Sequence, residues 1–222
     1  PEHPCGTTLY GYDVLARLIW GARVTLSMAV IPVSISISGG MIIGTISAYF
    51  GGSVDYVIMR FVDIMYSFPM IMLVIILIPM VGKSLTTTEI IYGVLYIPFY
   101  TRFMRSNVLQ VKQMVYVKAA KTGGANKFKI MFKHIVPNAI APMIIRFFGG
   151  MARTVIGLAG LAFIGLGDET VANWGTDLNW SRGQFTAFWT SIWSGIFIGI
   201  ITIGFMLIGD GLRDALDPRL QI

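Results

Sequence analysis

Residues 24–54 read VTLSMAVIPVSISISGGMIIGTISAYFGGSV, a stretch without a single Asp, Glu, Lys or Arg. It exceeds the ~20 residues a helix needs to cross the ~30 Å hydrocarbon core of a bilayer. Gly183 to Gly209 is a second such stretch, and Ile64 to Gly82 is just long enough. Asn138 to Leu166 is apolar apart from Arg146 and Arg153, and the apolar pattern of Ile90 to Thr101 continues past Arg102. The pattern predicts an all-α, polytopic transmembrane helix bundle with five spans. Composition agrees: 55% of the 222 residues are hydrophobic and 13% are charged, about half the ~25% charged residues of soluble domains. A soluble globular domain is excluded.

Charge orients the spans. Of 17 Lys and Arg, eight lie between residues 102 and 133: Arg102, Arg105, Lys112, Lys118, Lys121, Lys127, Lys129 and Lys133. No Asp or Glu occurs from Ile90 to Gly167. The positive-inside rule puts this segment in the cytoplasm. Asp168 to Arg182, with three acids against one arginine, is then external. The spans alternate: residues 24–52 inward, 55–81 outward, 87–108 inward, 138–166 outward and 186–209 inward. The expected organisation is an extracytoplasmic segment over 1–23 and a transmembrane domain over 24–222, with a cytoplasmic elbow at 112–137. The C-terminus is expected inside, in a multi-pass protein of the cytoplasmic (inner) membrane. The chain begins at Pro1, with no signal peptide and an external N-terminus, so one further upstream span is expected. Cys5 is the single cysteine and excludes an internal disulfide. His3 and Cys5 fall short of the full ligand sets that protein metal sites use, so no metal site is expected.

The basic segment holds the most specific pattern, Tyr116 to Asn138, YVKAAKTGGANKFKIMFKHIVPN. A helix-forming run, Val117 to Lys121, meets Gly123-Gly124, which ends a helix and permits positive φ. Asn126 has the side chain of an N-cap. From Lys127 to His134 the spacing of Phe128 and Met131, continued by Ile135, predicts an apolar stripe on one helical face, with Lys127, Lys129 and Lys133 largely off it. Pro137 is suited to open the next span. This is a helix–turn–helix elbow joined to spans on both sides. It fits docking into a groove on a soluble partner, and equally an amphipathic loop lying on anionic lipid. Without an aromatic stacking platform it does not read as a nucleic-acid site.

The elbow resembles the EAA loop of ABC importer permeases: Glu-Ala-Ala, three residues, Gly, nine residues, Ile, any residue, Leu-Pro. Here Lys118-Ala119-Ala120 is followed by Gly124 and by His134-Ile135-Val136-Pro137, with the spacing kept and Lys118 in place of the Glu. The ending His134-Ile135-Val136-Pro137-Asn138 is similar to that of the dipeptide/oligopeptide/nickel branch. Three further segments look like the same branch in the right order: His3 to Leu18, Phe163-Ile-Gly-Leu-Gly167 with Trp174-Gly175, and Gly209 to Pro218. The resemblance implies the type I permease fold and a heterodimer with a second permease subunit. It also implies two cytoplasmic ATPase subunits docked on the elbows and an extracytoplasmic solute-binding protein. The carried-over docking residues are Lys118, Ala119, Ala120, Gly124, Asn126, Lys127, Phe128, His134 and Pro137. ATP and Mg are expected on the partner ATPases, with no cofactor in this chain and no catalysis of its own. The expected cargo is a peptide or a related small solute such as a nickel chelate. The alternatives are a secondary carrier or channel, for which the spans lack an acidic coupling-ion cluster, and a membrane scaffold. Gly82-Lys83-Ser84 is similar to a P-loop ending, but the first glycine would have to stand at Leu77, so a turn is expected.

Arg146 and Arg153 share a face of the fourth span, and Arg153 lies roughly 22 Å along it from Asn138. An arginine at a helix centre costs about 2.5–3.5 kcal/mol, so neither is expected to face lipid. They are candidate residues of a translocation path selective for anionic groups, or members of structural ion pairs with Asp55, Asp63 or a partner subunit. Gly40-x-x-x-Gly44 and Gly195-x-x-x-Gly199 permit close helix approach, within the chain or to a partner. Trp174, Trp180, Trp189 and Trp193 flank the last span as interface anchors do.

Overall fold

In the computed structural model, residues 3–183 and 185–216 are described, Phe185 by its backbone alone. Asp217 and Pro218, the end of the C-terminal resemblance, lie outside them. The helices are α1 (Val14–Phe50), α2 (Gly52–Tyr66), α3 (Met70–Val81), α4 (Leu85–Leu95), α5 (Ile97–Lys112), α6 (Val115–Thr122), α7 (Lys127–Lys129), α8 (Val136–Ala139), α9 (Ala141–Leu161), α10 (Trp174–Ser181) and α11 (Phe188–Leu216). Wider π-helical turns continue α7 over Ile130–Ile135 and α9 over Ala162–Leu166.

Among the described residues three helices are long and apolar enough to cross a membrane: Val14–Phe50, Ala141–Leu166 and Phe188–Leu216. The pair α2 and α3 qualifies only jointly and is bent by 79°, so the count is three, or four if the pair is one span. The expected count of five is not reached. Pro69 supplies the break between α2 and α3, because the residue before a proline is pushed out of the helical region. The expected third span, 87–108, is two shorter helices. Pro98 sits in the first turn of α5, where proline belongs, and α5 carries Arg102, Arg105 and Lys112. The first span begins earlier than expected: Asp13 Oδ1 accepts the Ala16 amide at 3.0 Å and starts the helix at Val14.

The chain forms two compact units. One takes the chain up to Val33 with Val74–Tyr92 and Phe148–Ile208. Its core is Val14, Leu18 and Trp174, against which Trp189, Trp193 and Phe197 pack. Trp174 Nε1 donates to the Leu18 carbonyl at 3.0 Å, and Trp189 Nε1 to that of Thr7 at 2.9 Å. These tryptophans are core residues rather than interface anchors, because each indole N–H finds a carbonyl inside the unit. Gly175 is required by packing: a Cβ there would stand 2.7 Å from that of Ala162. Lys83 Nζ donates to the Gly165 carbonyl at 2.9 Å, and Ser84 caps Thr87, so Gly82-Lys83-Ser84 is a turn. His3 Nδ1 meets Asp13 Oδ2 at 2.8 Å.

The other unit takes Ser34–Leu73, Gly93–Phe147 and the chain from Gly209. Here α1 and α5 touch through glycine: a Cβ on Gly44 would lie 2.6 Å from the Thr101 carbonyl oxygen and 2.9 Å from Met104 Cβ. Gly40 faces Tyr100 in the same way. Two ion pairs tie α2 to α5. Arg105 holds both oxygens of Asp55, each at 2.6 Å, and Arg102 pairs with Asp63. Asp55 and Asp63 are therefore engaged by Arg105 and Arg102, not by the arginines of α9 as expected.

Candidate functional site

The elbow lies within the second unit. Its first arm, α6, ends where the Gly123 amide donates to the Ala119 carbonyl at 2.8 Å and the Ala125 amide to that of Ala120 at 3.1 Å. Gly124 takes φ +79, and a Cβ added there would meet nothing within 4 Å, so its need for glycine comes from backbone conformation, not space. Asn126 then caps the second arm: its side-chain oxygen accepts the Lys129 amide at 2.7 Å. The Lys127 carbonyl accepts from Tyr49 Oη at 2.8 Å, fastening the elbow to the end of α1. The His134 carbonyl accepts from Asn138 Nδ2 at 2.7 Å, and Pro137 opens α8.

The two arms thus bring Lys118, Ala119, Ala120, Gly124, Asn126, Lys127, Phe128, His134 and Pro137 into one continuous feature. Lys118, Ala119, Lys127 and Pro137 are exposed, while Ala120 and His134 are half-buried. One expectation fails. Met131 and Ile135 are 5% and 0% exposed, but Phe128 is 67% exposed. Ile130, only 6% exposed, takes its place. The cause is the π-helical turn: its i→i+5 bonding puts residues five apart on one face, so Ile130 aligns with Ile135. A 3.6-residue period points to Phe128 instead.

Arg146 and Arg153 both stand on α9. Arg146 is half-buried with its guanidinium carbon 4.6 Å from the Phe103 ring centroid, a cation–π contact. Arg153 is exposed, and its Nε donates to the Gly149 carbonyl at 3.2 Å.

The sequence pattern of the binding-protein-dependent transport system inner membrane component matches residues 40–222. The chain belongs to this family. A dipeptide transport system permease protein, DppC, of Alkalihalophilus pseudofirmus is 37% identical over 99% of the chain and 73% of that protein. DppC of Haemophilus influenzae is 36% identical, over 100% and 76%. A glutathione transport system permease protein, GsiD, of Pectobacterium atrosepticum is 32% identical, over 99% and 73%. Among solved structures, an inward-facing MetNI methionine ABC transporter aligns with TM-score 0.69 at 16% identity, over 89% of this chain and 97% of that one. An amino acid ABC transporter with histidines aligns at 0.70 and 15% identity, over 91% and 95%. At those identities the solved structures establish the fold. This protein is an ABC importer permease subunit, an inner membrane component with spanning helices.

In this permease several residues escape sequence reasoning. Ile130 is one. Lys112 is another: its Nζ donates to the carbonyls of Ala48 at 3.0 Å and Tyr49 at 2.8 Å, cations being favoured at a helix C-terminus. A third group is Arg17 with Asp177, joined Nε to Oδ1 at 2.6 Å, with the Arg17 guanidinium 4.2 Å from the Trp180 ring centroid. Burial pushes the Asp177 carboxyl above its usual range, and Arg17 only partly opposes this. Their separation of 160 positions in the chain hides the pair from any local pattern.

Proposed function

We propose that this permease imports a short peptide or a glutathione-like thiol peptide. In this reading it is one half of a heterodimer, and its elbow at 112–137 docks a cytoplasmic ATPase subunit. The observation that carries the docking role is the elbow's construction. A glycine-dependent turn and an Asn126 cap fix two arms that project Lys118 and Phe128 outward, while Ile130, Met131 and Ile135 anchor them to the unit beneath. A partner's push on such an element reaches α8 and α9 through continuous helix. ATP and Mg belong to the ATPase subunits, and a solute-binding protein delivers cargo from outside. The peptide class rests on the similarity to dipeptide and glutathione permeases rather than on a nickel system. The basic elbow and the C-terminus lie in the cytoplasm, and residues 1–23 and 168–182 lie outside, as the charge asymmetry favours. A second permease subunit covers α11. On that helix Gly195 and Gly199 meet nothing within 4 Å, unlike Gly40 and Gly44, and Ile192, Ile196, Ile200 and Ile203 form an exposed stripe. Arg153, with Arg146, lines the path and favours peptide carboxylates.

The chain, expressed with its companion permease and ATPases, is purified as wild type and as Gly124→Arg. Retention of the ATPases by wild type and their loss from a still-inserted variant upholds the docking role. Equal retention by both refutes it and turns attention to a carrier or scaffold, for which uptake would not depend strictly on ATP. Arg153→Ala is expected to lower uptake of anionic peptides more than that of cationic ones. Equal, unchanged uptake of both removes Arg153 from the path.

A further inference from the structure

Behind the elbow, inside the second unit, lies a cavity of ≈ 650 Å³. Four lysines line it: Lys112 from the end of α5, Lys118 and Lys121 from α6, and Lys127 from the second arm. Its remaining walls are apolar and include Tyr49 and Phe50, the last two residues of α1. No carboxylate is among the lining residues. The sequence from Ile90 to Gly167 contains none, and Asp55 on α2 is held by Arg105 and Ser47. Lys112 is fixed in place by the two carbonyls at the end of α1. Burial, and next the charge of Lys121, hold its ammonium below the usual lysine range. The four cations therefore converge with repulsion among them unrelieved by a counter-charge.

We infer that this cavity is a binding site for a phosphate-bearing anion. A single carboxylate offers one charge to four ammonium groups. A phosphate offers more charge and more acceptor oxygens, and lysine binds it as a point charge without fixed geometry. The volume falls in the range of small-molecule sites, roughly 300–1,000 Å³, and exceeds what an inorganic ion fills. The apolar walls take carbon attached to the phosphate. Phe50 ends a helix long and apolar enough to span the membrane, so the cavity opens where hydrocarbon gives way to headgroups. An anionic phospholipid headgroup and a soluble organic phosphate share the required chemistry. The site does not depend on the elbow docking an ATPase, and the two readings fail separately.

The test uses the assembled transporter in nanodiscs. One set contains phosphatidylcholine alone, with pyrophosphate added to the buffer. The other contains phosphatidylcholine with phosphatidylglycerol, and lipid retained after extraction is counted by native mass spectrometry. Protection of Lys121 from amine acylation is read in wild type under both conditions. Lys118→Gln/Lys121→Gln is expected to weaken binding roughly thirtyfold. Lys129→Gln/Lys133→Gln, which removes equal charge outside the cavity, is expected to change it about twofold or less. Binding of phosphatidylglycerol alone assigns the site to lipid, and binding of pyrophosphate alone assigns it to a soluble phosphate. Binding of neither, equal losses in the two double variants, or protection of Lys121 only when ATPase subunits are present overturns the inference.

Discussion

The tryptophan-rich region around Asp177 and the elbow around Gly124 treat charge in opposite ways. In the first, Arg17 and Asp177 are paired with side chains 13% and 2% exposed. Trp180 covers the guanidinium, and Trp174 and Trp189 spend their N–H groups on carbonyls of the same unit. Every strong group is answered from within the chain, apart from Arg17 Nη2, which is buried without a hydrogen-bond partner. In the elbow, Lys118, Lys127, Lys129 and Lys133 are exposed, and Phe128 and Phe132 are 67% and 62% exposed. The first region closes on itself, whereas the second is built to be completed by something else. Folding energy resides in one and binding energy in the other.

Four variants break or sharpen this contrast. Asp177→Ala leaves the Arg17 guanidinium without its counter-charge and is expected to cost about 3–5 kcal/mol, the scale for breaking a buried ion pair. Thermal unfolding of the purified complex measures it, and a loss below about 1 kcal/mol would put the pair among ordinary surface salt bridges. Gly44→Leu drives a side chain into the Thr101 carbonyl and Met104. It should cost about 2–3 kcal/mol, which shows in the same melt that the packed part of the second unit behaves like the tryptophan region. Asn126→Ala removes the cap on Lys129 and should cost about 1 kcal/mol. The expected signature is faster proteolysis at the elbow with the melting temperature nearly unchanged, and an equally large global loss would erase the contrast.

The smallest effect concerns pH. Burial pushes the Asp168 carboxyl up, but the Thr170 hydroxyl and amide and the Leu85 amide outweigh it and hold the group below the usual 3.8. A depressed carboxylate stabilises the folded state above its ordinary value and loses that contribution as pH falls through the depressed one. Asp168→Asn should therefore be less stable than wild type near neutrality by a few tenths of a kcal/mol, as for a surface polar contact. The gap should narrow as pH drops below 3.8. A gap that widens in acid would mean that Asp168 is not held as described.

What was legible in the sequence follows from what is local. Gly124 at positive φ and the Asn126 cap depend on residues three or four apart, and both are found where the spacing puts them. The apolar lengths of α1 and α11 are likewise a property of uninterrupted sequence. The failures share one cause, which is local bonding other than the plain α-helix. The break at Pro69 turns one expected span into a pair bent by 79°, and the proline was visible although the angle was not. The turn at Ile130–Ile135 changes the helical period, and so exchanges Phe128 for Ile130 in the core. The arginine pairings of Asp55 and Asp63, and the Arg17–Asp177 pair, depend on tertiary approach that no window of residues contains.

The wide turn at Ile130–Ile135 also constrains how this chain can change in length. A π-helical turn is one residue too many for the α-helix that contains it. Deleting a residue there restores regular geometry at little local cost, but rotates everything beyond it about 100° around the helix axis. Pro137, Asn138 and the start of α9 would then face a different direction while the elbow stayed in place. Insertions and deletions that an exposed loop would absorb are here a change of angular register. The extra residue sets the alignment between the segment that protrudes and the helix that follows.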